Sequence, residues 1–325
     1  MTKHRNMKKA LVTFSILTAA LSASAQDAQL SQIFNAPLLL NPAQTGLMDK
    51  KWRIAGGYRN TTFSGGSNAF STGYLSADTR IKLKGVQEND RLGFGLIGYL
   101  DQSSAGALRA NYIGASLAFN KSLSTTGATR LGIGAQAVYV SRVLNTNKLM
   151  FEDQFTSGGF STLPSRDAAR GGYDQHFDLN AGLQLSHDAA RWGGSAGFSL
   201  RHINKPRESF WGEDYHIPMS YTAHGSAFAK LKGGDKLTLQ ALYTSFGELN
   251  YIQGGLIFSK NIHISTQETT LDVGVLGRDT RTVIPYLGLS YGRTRGAITY
   301  DVTTSQSKQA GLSRQSLEIM LTTAF

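Results

Sequence analysis

The 325-residue sequence contains no cysteine, which excludes a disulfide framework and any thiolate metal site as sources of stability. Proline is scarce, six residues against 36 glycines, and that balance fits neither a collagen-like repeat nor a Pro-rich disordered chain. Long apolar runs are missing too. After residue 25 the strongest is "PLLL" at Pro37 to Leu40, far short of the roughly 18 apolar residues of a membrane-crossing helix. Stability must come from backbone pairing and burial.

The first 25 residues read as a secretory signal. Lys3, Arg5, Lys8 and Lys9 form a basic start, an apolar stretch follows from Ala10 to about Leu21, and "ASA" places small residues before Gln26. That run is interrupted by Thr13, Ser15 and Thr18, which argues against an anchor. The whole chain carries a formal charge of +11; removing four cations leaves 29 against 22 acids, or +7. An exported basic chain meets anionic lipid first. No helix, basic cluster or aromatic platform accompanies the charge, so nucleic-acid binding is not expected.

What is present is period-two alternation. In "HFDLNAGLQLS", Phe177, Leu179, Ala181, Leu183 and Leu185 share one face and His176, Asp178, Asn180 and Gln184 the other. "RWGGSAGFSLR" repeats the pattern after the hairpin-length "HDAA". Counting similar segments predicts about fourteen strands between residue 51 and the C-terminus. An even count, arginines and carboxylates in mid-strand, and aromatics toward strand ends at Trp52, Tyr58, Tyr99, Tyr139, Trp192, Tyr243 and Tyr291 predict a transmembrane antiparallel β-barrel with polar side chains in the lumen. Lipid offers no hydrogen bonds, so the last strand must meet the first. Short connections at "HDAA", "KGGD" and "GRTR" and long ones at 142–173 and 203–215 place both termini in the periplasm. The expected organisation is a signal at 1–25, an amino-terminal periplasmic or luminal segment at 26–50, and an outer-membrane barrel at 51–325.

Three stretches, "QDAQLSQIFNAPLLLNPAQTG", "RHINKPRESFWGEDYHIPMSYTAH" and "RTVIPYLGLSYGRTRGAITYDVTTSQ" with the Ser316, Glu318, Ile319 ending, resemble the PorP/SprF-like outer-membrane proteins of the type IX secretion system of Bacteroidetes. "RQSLEI" departs from the family's usual Gly-Ser-His-Glu-Ile, and "NAP" spoils the first of its paired Asn-Pro motifs. The resemblance implies a fourteen-stranded barrel without enzymatic activity or cofactor, needed for secretion, docking or surface retention of large adhesin-type cargo. Its implied partners are a type B carboxy-terminal sorting domain and periplasmic components of the machine.

The residues suggest where partners would bind. Segment 26–50 is apolar at Ile33, Phe34 and Leu38 to Leu40 and carries Asn41 and Pro42; it is expected to plug the lumen or lie at its rim, or merely to pack under the barrel. In the loop 203–216, Phe210 and Trp211 with Arg207 and Glu208 offer an interaction surface, or fold back on the barrel mouth. Arg53, Arg59, Arg109, Arg191, Arg201, Asp178, Asp272, Asp301 and Glu318 are expected to pair across the lumen. A porin would use such charges as a selectivity field, which is the alternative function. His176, His187, His202, His216 and His224 lack metal-site spacing, and Ser199 and His202 differ in parity, so neither a metal site nor a nucleophilic enzyme is expected.

Overall fold

The computed structural model describes residues 29–63, 68–81, 89–103, 106–149, 151–161, 165, 171–209, 215–264, 267–304 and 314–325; the signal and the loop residues Phe210 and Trp211 lie outside them. Fourteen antiparallel strands close into one barrel. In chain order they are β1 Trp52–Phe63, β2 Asn68–Ile81, β3 Arg91–Ser103, β4 Leu108–Ser122, β5 Thr129–Leu144, β6 Gly172–Asp188 and β7 Trp192–Arg201, then β8 Ser220–Lys230, β9 Lys236–Phe246, β10 Leu249–Ile264, β11 Gln267–Arg278, β12 Thr282–Tyr291, β13 Thr294–Thr303 and β14 Arg314–Ala324. At 10 to 17 residues each, the strands exceed what a tilted bilayer crossing requires. Each expected strand is present, mostly extended by a few residues.

Closure is made by β1 against β14, in register from Arg53 opposite Ala324 to Phe63 opposite Arg314. The terminal residue completes that seam: the Phe325 N–H donates to the Trp52 carbonyl at 3.0 Å, and its own carbonyl accepts from Lys51 and Trp52 at 3.0 and 2.8 Å. Both ends of the barrel domain therefore leave from one rim, the terminal rim. The connections at that rim include 189–191, 231–235 and 292–293, whereas 145–171 and 202–219 span the opposite, far rim.

Side-chain parity follows the alternation. Ile113, Ile133, Leu183 and Ile319 are more than half exposed on the outer surface, while Ser116, Gln136, Gln184 and Glu318 on the intervening positions are buried. Outward aromatics fall in two bands: Trp52, Trp192 and Tyr291 near the terminal rim, and Tyr173, Tyr221 and Tyr243 toward the far one. Tyr99 departs from this expectation. It occupies the inward parity of β3 and stacks on Tyr112 at 3.8 Å, packing against the luminal core.

The lumen is filled rather than hollow. Residues 29–50 run inside it as three single-turn helices, Ile33–Asn35, Pro37–Leu40 and Pro42–Gln44. Pro37 and Pro42 each open a turn where a missing N–H costs nothing. Leu30, Ile33, Ala36 and Leu38 to Leu40 are buried with Ala55, Tyr74, Ile97, Leu242 and Met320 of the barrel wall. A second apolar luminal cluster joins Ile257, Leu276, Ile284, Tyr286 and Ala297. These inward apolar positions exist because the segment excludes water from that part of the interior.

Candidate functional site

The first anchor of the luminal segment is a buried charge cluster. Glu318 of β14 accepts the Ser31 and Gln32 backbone N–H groups at 2.7 and 2.8 Å and an Arg59 guanidinium N–H at 2.9 Å. Asp301 of β13 accepts from the Ser31 hydroxyl at 2.6 Å, from Arg59 at 2.8 Å and from Arg278 at 3.0 Å. Gln253 donates to the Ser31 carbonyl at 2.8 Å and accepts from Arg278 at 3.0 Å. Two arginines and two carboxylates thus pair with one another, and Ser31 and Gln32 of the segment occupy further hydrogen-bonding positions on them. Such a cluster is tolerable away from water only when its members are satisfied together.

Asn41 and Pro42 form the second anchor. The Asn41 amide donates to the Leu183 carbonyl at 2.8 Å, lies 3.0 Å from His224 Nε2, and its oxygen accepts the Ala43 N–H at 2.9 Å. Both residues are buried, so they hold the segment to the wall and do not present a surface to a partner, contrary to the expectation from sequence. Neighbouring contacts continue around the barrel: Gln136 donates to the Leu38 carbonyl at 3.2 Å, Ser199 to Leu40 at 2.9 Å and Asn120 to Ala43 at 3.3 Å. Arg201 donates to the Leu39 carbonyl. Tyr286 and Asn35 are bonded at 3.3 Å, and Asp78 accepts from the Gly46 N–H at 2.7 Å while pairing with Arg53 at 2.7 Å.

Close backbone approach explains two glycines of this contact. A Cβ on Gly93 would lie 2.1 Å from the Thr45 carbonyl oxygen, and Gly46, at φ +67°, faces the Gly93 Cα. Gly93→Val is therefore expected to push residues 43–47 off the wall at a cost of about 1–3 kcal/mol while leaving the barrel closed. A cysteine replacing the fully buried Ala43 checks this: it should resist maleimide in the otherwise native chain and react once Gly93→Val is added. Equal protection in both would show that the wall yields instead.

The expected luminal charges divide. Arg53, Arg59, Arg201, Asp178, Asp272, Asp301 and Glu318 do face the interior, with Asp178 paired to His202 at 3.0 Å and Asp272 to Arg295 at 2.9 Å. Arg191 does not: it lies exposed in the 189–191 turn. Arg109 has the outward parity of Ile113 and Leu117 at the end of β4 and is exposed. Arg191 departs from the expectation because it belongs to the turn, and Arg109 because its parity along β4 is outward. Arg278 and Asp78 were missed, although each shares parity with inward neighbours, Asp272 and Ser76.

At the far rim the described loop residues 202–209 and 215–219 fold onto the mouth. Glu208 is buried and paired with Arg142, so it fixes the loop instead of standing free, while Arg207 is exposed. Arg207–Glu208 pairs with Tyr215–His216 as a short ladder, and burial, then the neighbouring Glu208 carboxylate, pushes the Tyr215 phenol up. Asp174 binds His176 at 2.9 Å and accepts the Ser209 N–H at 3.2 Å. Between this mouth and the plug lies a small pocket bounded by Gln29, Ile33, Leu40, Leu242, Phe246 and Tyr251. Among the described residues no group of three His, Asp or Glu could hold a metal ion.

Comparison with known proteins adds the family. The family described as type IX secretion system membrane protein PorP/SprF matches residues 22–323. No curated protein matches the sequence. Among solved structures, the chain is similar in fold to the TodX monoaromatic hydrocarbon channel deltaS2 mutant, with a TM-score of 0.52, 11% identity and coverage of 90% of this chain and 94% of that one. A TodX deltaS2S3 mutant monoaromatic hydrocarbon channel gives 0.50 at 11% identity and the same coverage. The Pseudomonas putida toluene transporter TodX gives 0.47 at 11%, again covering 90% and 94%.

Proposed function

From the premise that the chain belongs to the PorP/SprF family of type IX secretion system membrane proteins, an integral outer-membrane barrel of that system, we propose that it works as a closed scaffold and not as a conduit. The observation that carries this reading is the luminal segment, bonded from Ser31 to Met48 to successive strands around the wall. A lumen filled in this way does not pass a folded polypeptide, so cargo is received or retained at a rim. The far-rim loops 145–171 and 202–219 form the outward contact, and the cargo is of the large adhesin type with a type B carboxy-terminal sorting domain. No step in this role is enzymatic. The plug also argues against the porin alternative, because the luminal charges it engages are spent on holding it.

Connection lengths orient the terminal rim, where Lys51 and Phe325 meet, toward the periplasm. Single cysteines test that: in intact cells a membrane-impermeant reagent should label Ser209→Cys and spare Ala189→Cys, and the reverse pattern inverts the barrel. Deleting the gene tests the role itself. Loss of particular surface adhesins with the rest of the envelope unchanged is the expected result; unchanged surface display in the deletion would refute it.

A further inference from the structure

The terminal rim carries positive charge that neither the plug nor the barrel neutralises. Arg80 near the end of β2, Arg91 at the start of β3 and Arg130 at the start of β5 all have inward parity. They form an arc around the place where the luminal segment leaves the barrel. Arg91 donates to the Met48 carbonyl at 2.8 Å and pairs with Asp49 at 2.9 Å, and Arg80 donates to the Asp49 carbonyl at 2.8 Å. Arg80 and Arg130 each feel the repulsion of Arg91, with Asp49 the nearest opposing charge. The Arg130 Nε is buried without a hydrogen-bond partner.

Across the same mouth stand Lys230, Lys236 and Arg295, with Asp188 and Asp272 between them. Six cations therefore meet three carboxylates. Asp49, Asp188 and Asp272 pair with Arg91, Lys230 and Arg295, which leaves Arg80, Arg130 and Lys236 with no carboxylate partner among the described residues. Like charges gathered at one mouth cost free energy unless something opposes them. The surplus has the inward parity of its strands, on the side of the wall that faces the lumen.

We propose that the terminal mouth is a docking site for a carboxylate-rich polypeptide segment, held by the Arg80, Arg91 and Arg130 arc. Guanidinium groups suit that ligand because each can grip a carboxylate through two parallel N–H groups. The proposal deepens the scaffold reading and takes from it only the compartment: with the terminal rim in the periplasm, the acidic partner is periplasmic, opposite the adhesin-facing loops.

The test uses the full-length protein in detergent and a fluorescently labelled hexaglutamate peptide followed by anisotropy. Binding should appear at low ionic strength, weaken with added salt, and fall at least about tenfold in Arg80→Gln/Arg130→Gln. Arg80→Lys/Arg130→Lys, which keeps the charge, should stay within about threefold, and Arg207→Gln at the far rim should bind as the parent does. Heat-modifiable migration on gels shows that each variant has folded. Equal binding by the Gln variant, equal binding of a hexaserine peptide, or displacement by anionic phospholipid vesicles would each overturn the proposal. If the orientation is wrong, peptide binding to the purified protein survives and only the Ala189→Cys labelling changes, so the two failures are distinguishable.

Discussion

Glu318→Ala is expected to unlatch the luminal segment and to cost the closed barrel about 3–5 kcal/mol, the range for removing one partner of a buried ion pair. The side chain has no exposure and accepts from three donors at once: the Ser31 N–H, the Gln32 N–H and Arg59. Truncation leaves two backbone donors without that acceptor and shifts the local balance from two carboxylates and two guanidiniums to one against two. Asp301 keeps its bonds to Arg59 and Arg278, but cannot also serve the N–H groups of Ser31 and Gln32. Water would have to enter, and the segment is what keeps it out.

The readout is the temperature at which the folded band is lost on heat-modifiability gels, because membrane barrels rarely unfold reversibly and an equilibrium midpoint is ill defined. Glu318→Gln, which retains one acceptor and the side-chain volume, should fall between the parent and Glu318→Ala. A Glu318→Ala protein as heat-resistant as the parent would show that the cluster contributes little to holding the plug.

The barrel was legible in the sequence because lipid and lumen impose opposite demands on alternate residues. The terminal segment illustrates this: Leu317, Ile319 and Leu321 face out, Glu318 and Met320 face in, and only Met320 contradicts a simple polar-inside rule. Met320 can face inward because it joins the apolar cluster that the plug residues Leu30, Ile33 and Leu38 to Leu40 build with the wall. Alternation cannot reveal that, since it reports which face a residue takes and not what fills the interior. Tyr99 misled for the same reason: an aromatic toward a strand end resembles a girdle residue until its parity is compared with Gly95 and Ile97.

The candidate site was less legible. Asn41-Pro42 stood out as a motif, but a short polar-proline pair is equally suited to a partner contact and to a cap inside a lumen. Only three-dimensional placement beside Leu183 and His224 decides. Glu208 looked like a free loop charge because its partner Arg142 lies 66 positions earlier on a different strand. Pairings of that kind depend on barrel register, which no local pattern encodes. The arginine arc has the same origin, since Arg80, Arg91 and Arg130 converge only once β2 to β5 are laid side by side.

The central claim is that residues 30 to 48 close the barrel, and deleting them is expected to have a larger effect than any point substitution in the wall. The deletion removes the backbone partners of Glu318, Gln136, Ser199 and Asn120 and the Ser31 hydroxyl bound to Asp301, and leaves behind a wall lined by charged and amide side chains that water can solvate. The fourteen-strand closure needs none of the deleted residues, since the β1–β14 seam is made by Trp52, Phe325 and the strands themselves. Conductance of the purified protein in planar lipid bilayers measures this directly. The intact protein should pass little or no steady current, and the protein lacking residues 30–48 should form stable, ohmic openings at the same protein-to-lipid ratio. Large steady currents from the intact protein, or equal silence from both, would contradict the account.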